Sequence, residues 1–315
     1  MGNGKAAFVT GASRGIGRAC ARHLAIQGFD VALAARTLRE GDDPTGLPGS
    51  LATVADEVRS HGVRAVECSL DLLDRSSCTD AVAHALAELG RVDVLVNCGI
   101  LSEGGMRTFD RTPIEEYDRA FAANVIAPLH LIQQVLPSMR QHGGGLVVNV
   151  SSGAGQNETR ALPGQGGWPL TYSITKAAFN RIAAGLAKEL RADDIAVVNL
   201  EPGVVATERM VMITSSLGIE GGANGVEVDV PGVVCGYLAA HPTPMAFSGR
   251  TVDAPQLSVW AGLLDGTTLP YPYGPDIWGA PPAVPLAGGV TGIESSVPEP
   301  ERTPSSSARP EGANT

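Results

Sequence analysis

Over its first 200 residues the chain alternates between two patterns of hydrophobic and polar positions. Short β-branched and aliphatic runs at 6–10, 30–34, 64–68, 92–97, 146–150 and 195–200 are apolar on both faces of an extended chain. Strands buried on both sides read this way. The segments between them, at 16–27, 51–61, 76–89, 114–139 and 172–190, place their apolar residues with helical period. A strand–helix–strand unit repeated five times needs right-handed crossovers. The pattern therefore predicts an α/β fold, a single doubly wound parallel sheet of Rossmann type with helices on both faces. Pro128, inside the segment 114–139, is expected to kink that helix.

Two stretches interrupt the alternation. Residues 37–50, with Gly41, Pro44, Gly46, Pro48 and Gly49, read as a loop inserted after the second strand. Residues 153–169 are rich in glycine and proline and lengthen the turn after the fifth. Beyond residue 260 the pattern stops. Pro270, Pro272, Pro275, Pro281, Pro282 and Pro285 exclude regular helix or central strand. The expected organisation is one catalytic domain over 1–260, an irregular Pro/Gly-rich extension over 261–296 and a disordered tail over 297–315.

Composition narrows the partners. The formal charge of −10 argues against nucleic acid and against an anionic membrane surface. No stretch approaches 18 consecutive apolar residues, so no membrane span is expected. The five cysteines, Cys20, Cys68, Cys78, Cys98 and Cys235, are scattered without a Cys-x-x-Cys. That spacing suits a reducing cytoplasm and predicts no zinc site or other metal centre. Lysine occurs only at Lys5, Lys176 and Lys188, so a motif that uses one stands out.

Where the first strand gives way to the first helix the chain reads Thr10-Gly-Ala-Ser-Arg-Gly-Ile-Gly17. Glycines there let the backbone turn tightly and approach a pyrophosphate, and the helix N-terminus offers free N–H groups to it. Further along, Tyr172-Ser-Ile-Thr-Lys176 puts a phenol and an ammonium on one helical face. A neighbouring cation favours the phenolate, so Lys176 is expected to lower the pKa of Tyr172.

The glycine spacing, Gly11, Gly15 and Gly17, resembles that of the short-chain dehydrogenase/reductase family, and the remaining motifs fit the same order over about residues 5–252. The resemblance implies Tyr172 as catalytic acid or base and Lys176 as the cation that, with the positive charge of an oxidised nicotinamide, lowers its pKa and also holds the nicotinamide ribose. It implies Ser152, with Ser151 as runner-up, as the hydroxyl that orients the substrate carbonyl, and Asn124 as the residue that holds a water extending a proton relay. For the cofactor it implies Gly11, Ser13, Arg14, Gly15, Ile16 and Gly17 of the glycine loop, Asp71 and Leu72 at the adenine, and Asn97 and Gly99 after the fourth strand. Val205 and Thr207 would bind the carboxamide. The chain departs from the family in two places. Ser152 lies 20 residues before Tyr172 rather than about a dozen, and Asp253-Ala-Pro-Gln replaces the usual Asp-Gly-Gly.

Cofactor choice turns on the end of the second strand. An acid there would accept from both ribose hydroxyls of NAD and repel a 2′-phosphate. This chain has Ala35 followed by Arg36, with Arg14 nearby in the glycine loop. Two guanidiniums suit a phosphate dianion, which favours NADP(H) over NAD(H). The expected activity is hydride transfer between NADP(H) and a carbonyl or secondary alcohol of a small molecule. The alternatives are a lyase or dehydratase on the same fold and a non-catalytic NADP-binding sensor. By resemblance, the helices at 114–139 and 172–190 would pack against a second subunit in a homodimer or homotetramer.

Overall fold

The computed structural model describes residues 2–102, 105–159, 161–216 and 225–264. Seven parallel strands form one sheet in the order β3-β2-β1-β4-β5-β6-β7. They are β1 (Ala6–Thr10), β2 (Asp30–Ala35), β3 (Ala65–Ser69), β4 (Val94–Asn97), β5 (Gly145–Val150), β6 (Ile195–Glu201) and β7 (Thr251–Asp253). The six strands expected from the apolar runs form within two residues of their predicted ends. Except in the edge strand β3, which is only partly buried, their central residues are buried, as a sheet covered on both faces requires. Chain order reverses between β1 and β4, and ligands of doubly wound sheets bind at the carboxyl edge of such a reversal.

The helices are α1 (Gly15–Ile26), α2 (Leu51–Ser60), α3 (Arg75–Leu89), α4 (Ile114–Phe121), α5 (Ala127–Gln141), α6 (Leu170–Glu189), α7 (Glu208–Ser216), α8 (Asp229–Ala240) and α9 (Ala254–Trp260). Start signals are visible in several. Ser50 caps α2 by accepting from Thr53 N, and Asp74 caps α3 by accepting from Ser76 and Ser77 N. Gly90, left-handed at φ 82°, ends α3. One side of the sheet packs Phe8, Leu95 and Val147 against Leu131, Val135 and Met139 of α5 and Phe179 and Ile182 of α6.

Between α4 and α5 the helix widens into a π-helical turn, Ala122–Ile126, in which Ala127 N reaches back five residues to Ala122 O. The expected kink at Pro128 takes this form. The wide turn absorbs the break, and Pro128 falls in the first turn of α5, where its missing N–H costs little. The whole stretch Ile114–Gln141 is long and apolar enough to span a bilayer by length and composition. Half of its most apolar window is buried inside the protein.

Four elements carry no clear sequence period: α7, α8, β7 and α9. In α8 the reason is visible, because apolar residues surround the helix and leave no polar face to define a stripe. A Cβ on Gly232 would lie 2.8 Å from Ala19 Cβ, so glycine lets α8 press onto α1. The extension expected from 261 onward lies, after residue 264, outside the described residues, and the tail 297–315 lies wholly outside them.

Candidate active site

Asparagines brace the carboxyl edge of the sheet. Asn97, Asn149 and Asn199 stand in register on β4, β5 and β6, all buried. Asn97 Nδ2 donates to Asn149 Oδ1 at 3.0 Å, and Asn199 Nδ2 to Asn180 O at 2.7 Å. Asn97 thus ties neighbouring strands. On the other side of the switch point, Thr10 Oγ1 accepts from Cys98 N and Gly99 N at 3.0 and 2.9 Å.

This clamp draws the glycine loop against β4. A Cβ on Gly11 would lie 2.8 Å from Gly99 Cα, and one on Gly17 would lie 2.2 Å from Gly11 O. Gly11 and Gly15 are also left-handed, at φ 67° and 54°. No side chain fits at Gly11 or Gly17, so the backbone N–H groups at the start of α1 stay open to an anion. The cleft above them, about 460 Å³, is lined by Gly11, Ser13, Arg14, Gly15, Ile16 and Gly17 at one end. Arg36, Asp71, Leu72 and Gly99 line it further on, with Val205 and Thr207 above. Asn97 is absent from that lining and acts from below.

The opposite end holds Ser152, Tyr172 and Lys176. The 19 residues between Ser152 and Tyr172 do not separate them. Residues Gly153–Gly155 make a tight turn against α6, where a Cβ on Gly155 would meet Ala177 N at 2.5 Å. Further on, Gly167 N bonds Leu162 O, and a Cβ on Gly167 would lie 1.8 Å from Ala161 O. The folded loop delivers Trp168 against Tyr172, ring centroids 5.3 Å apart. The inserted segment is thereby a wall of the cleft.

Lys176 is 8% exposed, and its Nζ donates to Val150 O at 2.7 Å. Burial pulls its pKa down to about 8, with the acid Glu201 opposing. For Tyr172 the outcome differs from the expectation. Burial pushes the phenol up to about 12, while the Ser152 hydroxyl favours the phenolate more weakly. The Lys176 ammonium points at Val150 O, 6.0 Å from the Tyr172 ring centroid, and does not offset the burial. In this form of the protein Tyr172 is a protonated donor. Ser152 Oγ also accepts from Ala154 N at 3.2 Å, whereas Ser151 Oγ turns away to donate to Glu201 Oε2 at 3.3 Å.

Asn124 lies in the π-helical turn, and its side chain bonds the backbone of Leu101, with a longer contact from Nδ2 to Thr175 Oγ1 at 3.5 Å. Oδ1 accepts from Leu101 N at 2.7 Å and Nδ2 donates to Leu101 O at 3.0 Å. Its backbone carbonyl receives no hydrogen bond from the residue four positions on, since that residue is Pro128, which has no N–H to donate.

Three groups at the site escaped the sequence reasoning. Glu201 ends β6, and burial raises its carboxyl to about 7. Arg209, in the first turn of α7, lines the cleft with Arg36. Asp43, from the inserted loop 37–50, ion-pairs with Arg14. Pro202-Gly203 marks the end of β6, but nothing in the pattern marks the carboxyl of the residue before it as partly withdrawn from solvent. Cys98 is pushed up to about 12 by burial and is an inert thiol at neutral pH. Among the described residues no group of three His, Cys, Asp or Glu side chains is arranged to hold a metal ion.

A glycine-lined anion cradle at the switch point, facing a Tyr, Ser and Lys cluster across one cleft, defines a nucleotide-dependent oxidoreductase architecture. A family profile described as short chain dehydrogenase matches residues 5–218. The chain belongs to the short-chain dehydrogenase/reductase family. It is 34% identical over 220 residues to a cyclohexanol dehydrogenase of Rhodococcus sp. strain TK6, covering 68% of this chain and 79% of that one. A solved 7α-hydroxysteroid dehydrogenase, complexed with NADH and 7-oxo glycochenodeoxycholic acid, is 25% identical with a TM-score of 0.66. That match covers 79% of this chain and 92% of the other. The L-sorbose reductase of Gluconobacter frateurii, complexed with NADPH and L-sorbose, shares the fold at a TM-score of 0.68 and 23% identity, over 80% of this chain and 95% of that one.

Proposed function

We propose that the protein is an NADP(H)-dependent oxidoreductase that interconverts a small apolar ketone and its secondary alcohol, with Tyr172 as acid or base. The observation that carries the reading is the convergence of Tyr172, Ser152 and Lys176 at one end of a cleft whose other end is the glycine loop. The cradle fits a dinucleotide, because Gly11 and Gly17 admit no Cβ and the start of α1 faces the cleft. When bound, a nicotinamide supplies or takes the hydride.

The residues of this chain do the rest. Ser152 Oγ donates to the carbonyl oxygen and polarises it. Tyr172 Oη gives its proton to that oxygen as negative charge develops there. A phenol held near 12 keeps the proton until an alkoxide forms, which suits reduction. Lys176, placed by Val150 O, puts a cation beside the developing charge. The Asn124 carbonyl, without an N–H from Pro128, is the group that would hold a relay water.

Ala35 in place of an acid, followed by Arg36, supports the phosphorylated cofactor. The substrate end is walled by Ile100, Leu101, Met106, Trp168, Met210 and Ile213, which supports an apolar skeleton. The names of the relatives, for cyclohexanol and a hydroxysteroid, point the same way. Exposed Ile114, Phe121 and Ile126 on the face of α4 and α5 support a homodimer or homotetramer through that helix.

The test is a panel of cyclic and open-chain ketones and alcohols with NADPH and NADH, followed at the nicotinamide absorbance. Turnover with NADPH is expected, abolished in Tyr172→Phe while cofactor binding persists. A Phe variant that keeps near-normal rate would remove Tyr172 from its role. Cofactor binding with no turnover on any carbonyl would leave the lyase or sensor reading.

A further inference from the structure

Arg14 lies in the glycine loop, where a guanidinium could meet a cofactor phosphate, but its donors are already in use. Nε donates to Pro48 O at 2.9 Å, and Nη2 to Gly49 O at 3.1 Å, Thr37 Oγ1 at 3.3 Å and Leu47 O at 3.4 Å. Nη1 is paired with Asp43, whose carboxyl is held down to about 2 and stays ionised through the neutral range. Arg14 therefore spends its hydrogen bonds and its charge on the inserted loop. The fit is tight, because a Cβ on Gly49 would lie 2.5 Å from Ser13 O.

Two other guanidiniums line the same end of the cleft, Arg36 from the end of β2 and Arg209 from the first turn of α7. Neither has a hydrogen-bond or ion-pair partner among the described residues. Arg209 is partly buried, and burial, then Arg14, then Arg36 hold its guanidinium below the ordinary arginine range, with Asp43 opposing and Arg36 the smallest of these influences. Bringing unpaired cations toward one another costs free energy that a bound dianion would return. The position of Arg209 is fixed by its neighbours. Thr207 Cγ2 and Glu208 Oε2 lie 3.3 and 3.5 Å from where a Cβ on Gly15 would stand, so the start of α7 rests on the glycine loop.

We infer that Arg209, together with Arg36, is the specificity determinant for a 2′-phosphorylated dinucleotide, while the Arg14–Asp43 pair serves to hold the loop 37–50 beside that site. The inference rests on the NADP(H) reading above and refines it. The phosphate recognised by α7 is the monoester that distinguishes NADP(H) from NAD(H), not the diphosphate common to both. A consequence is that α7, which also contributes Met210 and Ile213 to the cleft lining, would touch the group that distinguishes the two cofactors.

The experiment measures dissociation constants for NADPH and NADH by quenching of tryptophan fluorescence in the wild type, Arg209→Ala, Arg209→Lys and Arg36→Ala, without substrate. Loss of a charged contact to phosphate is expected to weaken NADPH by about 10- to 100-fold in Arg209→Ala and in Arg36→Ala, with NADH changed less than about threefold. Arg209→Lys should recover part of the loss, and 2′,5′-ADP should compete with NADPH in the wild type more weakly in both alanine variants. Equal weakening of both cofactors in Arg209→Ala would assign Arg209 to the diphosphate and overturn the inference while leaving the NADP(H) reading intact. Unchanged NADPH binding would overturn it as well. A wild type that prefers NADH would overturn the NADP(H) reading itself, and the inference with it.

Discussion

Lys176 should cost the fold stability that its chemistry requires. The ammonium is 8% exposed and has one hydrogen bond, to Val150 O. Its pKa falls from 10.5 to about 8, with burial as the first cause. A lysine whose folded pKa lies below its unfolded value destabilises the fold wherever it is protonated. The penalty is full below about pH 8 and has vanished by about pH 10.5. A shift of this size corresponds to about 3 kcal/mol at pH 7. Replacement by Met keeps most of the buried stem and removes the charge. Two losses offset the gain. The Val150 carbonyl loses a donor, about 1–2 kcal/mol. Glu201 loses a cation that favours its ionised form, but at about pH 7 that carboxyl is already half protonated, which limits the loss to about 0.4 kcal/mol.

The net expectation for Lys176→Met is a gain of about 1 kcal/mol at pH 7, or roughly 2–4 °C in Tm for a domain of this size. Near pH 10 the gain should be gone or reversed, because the wild-type lysine is then largely neutral. Urea unfolding of both proteins at pH 7 and pH 10, without cofactor, reads the difference, and the variant should have lost turnover. A variant less stable than the wild type at pH 7 would refute the reasoning. So would a difference that does not move with pH, since that would mean the ammonium is solvated or paired in a way its surroundings do not provide.

Two further outcomes follow from the same geometry. Gly17→Ala places a Cβ 2.2 Å from Gly11 O, backbone that cannot yield without opening the cradle; cofactor affinity measured by fluorescence should fall by at least about 100-fold, more than Tm changes would explain. Glu201→Gln removes a carboxyl that burial raises from 4.5 to about 7. An acid with a raised folded pKa contributes stability that is present below its unfolded value and lost as pH rises through the folded one. Wild-type stability should therefore decline between about pH 4.5 and 7 by up to about 3 kcal/mol more than that of the variant, which parallel urea titrations across that range would show or deny.

The sheet was legible because strands covered on both faces carry a signal that survives without context. Runs such as Ala6–Val9 and Ile195–Val198 are apolar at every position, with polar residues only at the carboxyl ends of their strands. The Tyr172 and Lys176 pair was legible for a related reason, since four residues on a helix fix a shared face wherever the helix lies. What the pattern could not carry was which partner a polar side chain would choose. Arg14 in a glycine loop reads as a phosphate ligand until residues 37–50 fold back and take its donors. Arg209 reads as an ordinary surface arginine until α7 is seen to rest on Gly15. The phenol of Tyr172 reads as a group lowered by its lysine until burial is weighed against a cation whose hydrogen bond goes to Val150 O. In each case the sequence specifies the charge and the fold specifies its counter-charge. A cofactor preference inferred from arginines near the second strand therefore has to be argued again from the cleft-lining arginines that have no hydrogen-bond or ion-pair partner among the described residues, Arg36 and Arg209.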